Sequence, residues 1–328
     1  MDLRIVRPAR QRVSLEFTRL YTITMRPYLM FVSGVTGLAG LGLAPERSII
    51  SVWPTVLAAF LSYGFGQALT DCFQIDTDSI SSPYRPLTQG RISRPATLLV
   101  SCAGLALCVS IFALGNILNL AFGFAAGLGL ATYTFFKRRW WGGPWYNSWI
   151  VVVLCAMSFL SAGGTPVRLL HPPVLWTLLS VFFGYANFVL SGYFKDIEAD
   201  RRTAYHTFPV VFGRKKAAVL SDLFTVLTIL SVVGAMSHGW SRWEISLTEL
   251  SSWFFLGGVF AAVKGQILLH NVRTDEQAHP AVAGTVHSYL LLLSAIAATM
   301  RPSWNLFLLI FYAVFVLVLK IRPMKTQI

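Results

Sequence analysis

Charge is what this 328-residue chain has least of: Asp, Glu, Lys and Arg together make up 12% of it, and only 14 residues are acidic. A soluble domain needs a charged surface, and a chain that is 55% hydrophobic cannot cover itself with one. Cysteine is scarce as well. Cys72, Cys102, Cys108 and Cys155 show neither CxxC nor Cys/His spacing, so they read as small buried hydrophobes rather than metal ligands. Glycine-rich nucleotide loops and Ser/His/Asp arrangements are lacking, which removes nucleotide cradling and triad hydrolysis from the readings. No short-period repeat or low-complexity tract is present. The N-terminus reads as a basic, partly amphipathic interfacial lead-in over 1–24, with Arg4, Arg7, Arg10, Arg12 and Arg19, rather than as a cleavable signal peptide.

Apolar runs take the place of charge. They fall near 27–44, 51–70, 96–114, 117–135, 148–164, 173–192, 216–237, 251–270, 283–300 and 304–320. Each approaches the roughly 20 residues that a bilayer-crossing helix needs. The expectation is an all-α, polytopic transmembrane bundle, one domain over 1–328, embedded in the lipid bilayer. The net charge of +13 comes from 27 basic residues that sit in short loops between spans, so nucleic acid is not the expected partner. Most of them fall at the N-terminus and in 71–95, 136–147 and 193–216, which share one side if every run crosses. The loops 45–50 and 163–172 hold one arginine each, Arg47 and Arg168. The positive-inside rule then puts the basic side at the cytoplasm. Lys320, Arg322 and Lys325 return to that side only if 304–320 is a further span.

The few acids are clustered. Asp71, Asp76 and Asp78 follow the second apolar run, in the stretch 70–93, and carboxylates at the end of a membrane span are costly enough to suggest a function. If the helix continues through Asp78, then Asp71, Gln74 and Asp78 fall within about 60° of arc at roughly 100° per residue. Asp76 then faces away. An oxygen-rich face at a membrane mouth suits Mg²⁺, which takes one or two carboxylates together with substrate phosphates. Arg85 and Arg91 follow closely, and arginine offers phosphate a planar fork of donors. A second stretch, 193–213, answers the first. Asp196 and Asp200 are i,i+4 neighbours, Tyr193 lies three residues before Asp196, and Lys195, Arg201 and Arg202 stand beside them. Two acidic span ends with adjacent cations suit a metal-bridged diphosphate held between them. The bland alternative for either stretch alone is a solvated, charged loop.

Together the two stretches resemble the paired motifs of the UbiA-type intramembrane prenyltransferases. The tail of the first family motif is matched by Pro83, Arg85, Pro86, Leu87, Gly90, Ile92 and Ser93; the second motif is matched by Lys195, Asp196, Asp200 and Pro209 to Gly213. The first motif departs from the pattern where Thr70 stands for an asparagine and Gln74 for an aspartate, both offering neutral oxygens. The resemblance implies a nine-helix core around a central cavity, which leaves 304–320 as either an added tenth span or a re-entrant tail. It further implies Mg²⁺ held by Asp71, Gln74, Asp78, Asp196 and Asp200, and an isoprenyl diphosphate contacted by Arg26, Arg85, Arg91, Lys137, Arg138, Lys195 and Arg201. Tyr193 would orient the leaving diphosphate or shield an allylic cation, and Asn147 and Tyr185 would either line the cavity or tie helices together. The expected reaction is transfer of the prenyl group to a lipophilic acceptor, aromatic or quinone-type. Two alternatives stay open. One is a membrane terpene cyclase, in which the chain's own double bonds attack; the other is a transporter or lipid-binding protein using the acids as a cation path.

Overall fold

Prolines open the helices of this chain. Pro54, Pro95, Pro144, Pro172 and Pro280 each sit in a first turn, where the missing N–H would have had no helical partner. Ser93 adds a side-chain cap, accepting from the Ala96 N–H at 3.4 Å. The computed structural model describes residues 9–45, 48–239 and 245–322. In chain order these form α1 (Ala9–Met25), α2 (Met30–Leu43), α3 (Trp53–Asp71), α4 (Ile75–Ser81), α5 (Arg94–Gly115) and α6 (Asn119–Lys137). There follow α7 (Gly143–Ser161), α8 (Pro172–Tyr193), α9 (Ile197–Arg202), α10 (Phe208–Gly239), α11 (Leu250–His270), α12 (His279–Met300) and α13 (Asn305–Lys320). The described residues contain no strand, only one isolated bridge between Arg139 and His206.

Eight helical segments are long and apolar enough to cross a membrane: α5, α6, α7, α8, α10, α11, α12 and α13. The shorter apolar stretch Pro27–Leu43 and the 19-residue α3 complete a bundle of ten. Every expected apolar run is therefore a helix, and α13 is the tenth. α12 is the most buried span and packs against α2, α8, α10 and α11, while α8 packs on α7 and α10. Close approach is bought by small residues: a Cβ at Gly40 of α2 would collide with the Cys155 carbonyl of α7.

The loops holding both acidic stretches gather at one end of the bundle. Cross-links prove the gathering: Thr77 and Thr203 hydroxyls lie 3.0 Å apart, the His206 N–H donates to the Arg138 carbonyl at 2.9 Å, and Asp275 accepts from the Glu198 N–H at 2.8 Å. Arg4, Arg7, Arg47 and Lys325 lie outside the described residues. One local expectation changes. The helix does not run on through Asp78, because α3 ends at Asp71 and Cys72–Gln74 turn before α4 begins. Cys72 is buried there with Leu20, Leu87 and Ile92, which pins the turn against the following loop.

Candidate active site at the polar end of the bundle

The turn after α3 brings Asp71 and Asp78 to one arginine despite the broken helix. Arg85 Nη1 stands 2.5 Å from Asp78 Oδ2 and 3.8 Å from Asp71 Oδ1. Asp71 also takes Arg26 Nη2 at 2.9 Å on both oxygens and Gln67 Nε2 at 2.6 Å. Arg26 pays for this reach with a left-handed backbone, φ 53° and ψ 70°, a conformation that costs a non-glycine residue about 1–2 kcal/mol. Charge-assisted bonds to a buried carboxylate are strong enough to offset it.

The second stretch is built by another interruption. α8 ends at Tyr193, and Asp196 precedes α9, whose first turn carries Asp200. Asp200 is fully buried; its Oδ2 accepts from Thr207 Oγ1 at 3.1 Å, while its Oδ1 has no hydrogen-bond partner and lies 3.9 Å from Lys137 Nζ. Lys137, at the end of α6, donates to Gln74 Oε1 at 2.8 Å, and so links the first stretch to the second. Tyr133 and Tyr193 hydroxyls pair at 2.9 Å under the same lysine. Gly143 makes room for this: a Cβ there would collide with the Tyr193 hydroxyl.

Arg26, Asp71, Gln74, Asp78, Arg85, Lys137, Tyr193, Lys195 and Asp196 all line one polar cavity. Asp200 stands at its wall behind Lys137. The cavity adjoins a second, apolar compartment lined by residues such as Leu105, Val109, Phe112, Leu130 and Leu154. Tyr63, Gln67, Thr70, Asn147 and Tyr185 belong to both. The atom-free space is about 730 Å³ in the polar part and about 860 Å³ in the apolar part. A polar head and a greasy tail can thus be held end to end.

Burial outweighs the neighbouring cations at two of these acids. Burial pushes Asp78 above the usual carboxylate range, with Arg85 opposing. Burial likewise pushes Asp200 up to about 7, against the pull of Lys137. Asp196 goes the other way: burial would raise it, but Lys195, Lys137 and Arg85 together hold it below the usual range. Lys195 itself is pushed down to about 8 by burial, which Asp196 opposes. Among the described residues no three acidic, histidine or cysteine side chains converge as a ready-made metal cage. Divalent ions nevertheless fit, since Mg²⁺ takes only one or two carboxylates when phosphates complete its shell. The unpartnered Oδ1 of Asp200 and the raised Asp78 are the groups such an ion would satisfy.

Three expected residues stand apart from the cavity. Arg91 is 52% exposed and faces Glu16 at 3.5 Å, and Arg201 is 59% exposed and pairs with Glu198 at 3.1 Å. Arg138 sits on the rim, donating to Asp76 at 2.8 Å and stacking 4.6 Å over the Tyr205 ring. Asn147 and Tyr185 line the cavity. Tyr63, Gln67 and Tyr133 were not singled out by the sequence, yet they line it too. A signal existed: Gln67 lies one helical turn before Asp71, Tyr63 two turns before, and Tyr133 one turn before Lys137.

Fold and site together define an integral, multi-pass membrane protein with a charged cavity at one end of its bundle and an apolar extension into it. Residues 33–288 match the model of the UbiA prenyltransferase family. The chain belongs to this family, and is a membrane prenyltransferase of it. It is 28% identical over 222 residues to the digeranylgeranylglyceryl phosphate synthase of Thermococcus kodakarensis, covering 66% of this chain and 77% of that one. It is 26% identical over 221 residues to the chloroplastic chlorophyll synthase of Arabidopsis thaliana, covering 63% of this chain and 55% of that one. Among solved structures, a UbiA homolog from Aeropyrum pernix superposes with a TM-score of 0.65 at 16% identity, over 82% of this chain and 96% of that one. A UbiA homolog from Archaeoglobus fulgidus bound to GPP and Mg²⁺ superposes with a TM-score of 0.61 at 17% identity, over 84% and 99%.

Proposed function

We propose that the chain transfers the prenyl group of an isoprenyl diphosphate to a lipophilic acceptor, at a site on the cytoplasmic face and with Mg²⁺. The observation that carries this reading is the adjacency of a charged and an apolar compartment that share Tyr63, Gln67, Thr70, Asn147 and Tyr185 in their walls. The diphosphate belongs among the charges and the prenyl chain in the apolar part. An Archaeoglobus fulgidus relative was solved with GPP and Mg²⁺, which supports the same substrate class and ion here.

Asp71, Asp78, Asp196 and Asp200 would hold Mg²⁺. When bound, the ion supplies Lewis-acid charge to the phosphate oxygens. Arg26, Arg85, Lys137 and Lys195 stabilise the charge that develops on the leaving group. The bond between the prenyl C1 and its diphosphate oxygen breaks, and the electron pair leaves with the diphosphate. The allylic cation sits where Tyr193 and its neighbours exclude water and offer π-faces. An acceptor nucleophile bonds to C1 and gives up a proton.

The basic residues of 71–95, 136–147 and 193–216 gather at the site's end, which supports the cytoplasmic placement. Cysteines introduced at Arg201 and Arg168 separate the two sides: a membrane-impermeant thiol reagent added to intact cells should label Arg168→Cys and spare Arg201→Cys. The reverse pattern overturns the orientation.

The decisive assay is Mg²⁺-dependent diphosphate release from a panel of prenyl diphosphates by the purified protein in lipid. Release that requires an acceptor and yields a prenylated product supports transfer. Release without acceptor, yielding a cyclic hydrocarbon or alcohol, replaces transfer with cyclisation. An Asp196→Ala variant that keeps full activity overturns the site.

A further inference from the structure

Gln74 is a neutral polar side chain set among the seven charged ones that line the polar cavity. Arg26, Arg85, Lys137 and Lys195 line the polar cavity with Asp71, Asp78 and Asp196. Asp200, 3.9 Å from Lys137, makes the acids equal in number to the cations. Lysine has only donors, so the 2.8 Å contact fixes the amide oxygen of Gln74 toward the Lys137 ammonium. The rings of Tyr193 and Tyr205, at 5.5 and 5.3 Å, are neutral as well, and Asp200 Oδ1, at 3.9 Å, is the ion-pair partner. The ammonium is therefore tethered at 2.8 Å by a neutral group and meets a carboxylate only at the longer 3.9 Å. A carboxylate at position 74 would hold it equally well, but as a second and closer ion pair. It would also leave the wall with one acid more than its cations, and so repel an anionic substrate until divalent ions arrived.

We propose that Gln74 is a positioning residue that aims Lys137 at the substrate diphosphate without setting a second carboxylate on its ammonium, so that this chain binds a prenyl diphosphate before any divalent cation is loaded. This role makes Gln74 a tether rather than a metal ligand. It rests on the reading of the cavity as a diphosphate site. Across a medium of effective dielectric about 20, one unit charge a few ångströms from a diphosphate changes affinity by about tenfold or more.

The test measures binding of geranyl thiolodiphosphate, whose C–S bond resists ionisation, to the full-length protein in lipid nanodiscs, first in excess EDTA and then with saturating Mg²⁺. Wild-type protein should bind in both conditions. Gln74→Glu, which keeps the shape and adds the charge, should bind at least about tenfold more weakly in EDTA and recover to within about threefold with Mg²⁺. Gln74→Met, which removes the tether without adding charge, should lose affinity in both conditions, as should Lys137→Met. A role in folding alone would weaken Gln74→Glu equally with and without Mg²⁺, and that result overturns the proposal. So does wild-type protein that binds only with Mg²⁺, or a Gln74→Glu variant that matches wild type in EDTA. Wild-type protein that fails to bind the analogue in either condition sinks the diphosphate site itself, a separate outcome.

Discussion

Gly143 and Tyr193 show how much of this site turns on single atoms. The Tyr193 hydroxyl occupies the space that a side chain at 143 would need, and from there it pairs with Tyr133 beneath Lys137. Adding one methyl group forces a shift, and overpacking of this kind costs about 1–3 kcal/mol. Gly143→Ala should therefore move the ring rather than unfold the bundle. If the ring shields the allylic cation as proposed, the expected outcome is a kcat lowered by about tenfold or more with little change in the KM for prenyl diphosphate. Steady-state kinetics on the variant check it, and an unchanged kcat removes Tyr193 from the reaction. Arg26 teaches a related lesson. Its left-handed backbone follows from Pro27, which must start the next helix, and from Asp71, which takes both contacts of its guanidinium. The Arg-Pro pair was legible in the sequence, but the backbone conformation that aims it was not, since it depends on a partner 45 residues away.

The short helices α4 and α9 hold the acids, and neither is stable alone at seven and six residues. They are held by tertiary contacts. α9 is clamped by Asp275, from the turn before α12, which accepts from the Glu198 N–H at 2.8 Å and pairs with Arg214 just after the Gly213 break in α10. Removing a charge-assisted bond to a half-buried group costs about 1.5–3 kcal/mol. Asp275→Ala should loosen α9 and so spread the positions of Asp196 and Asp200. Faster amide exchange confined to 196–203, and a several-fold rise in the Mg²⁺ concentration needed for half-maximal activity, are the expected results. Full protection of those amides would show that the clamp is dispensable. The same contacts explain what the sequence could and could not tell. Ten apolar runs gave ten helices, because bilayer length and hydropathy are local properties. The ends of α3 and α8 were less legible. Periodicity carries a helix through Asp78, but the burial of Cys72 with Leu20, Leu87 and Ile92 stops it at Asp71. Arg91 and Arg201 look from spacing like phosphate clamps, and they face Glu16 and Glu198 instead, because each sits on the outward side of its turn.

At the scale of the whole bundle, the charged end and the apolar compartment adjoin, and under the proposed function the depth of the apolar part sets which prenyl chains fit. The apolar compartment runs between α3, α5, α6 and α7 toward Phe112 and Met157. Phe112 is anchored there, its carbonyl accepting from both Asn119 Nδ2 and Ser161 Oγ at 2.9 Å. Gly127 of α6 lines the same compartment, and a Cβ built on it meets nothing within 4 Å. A larger side chain at 127 would enter the cavity without straining the helix, the opposite of Gly40, where the neighbouring backbone is in the way. Each CH₂ kept out of an apolar site forfeits about 0.8 kcal/mol, so displacing two carbons of the substrate tail costs about tenfold in affinity. Gly127→Leu should therefore leave folding intact and shift preference toward shorter prenyl diphosphates. The KM for a 20-carbon substrate should rise by about tenfold or more while that for a 10-carbon substrate moves by less than about twofold. Competition between the two lengths in one assay reads this directly. Equal effects on both lengths would mean that the tail lies elsewhere, and the compartment would lose its role as the seat of the prenyl chain.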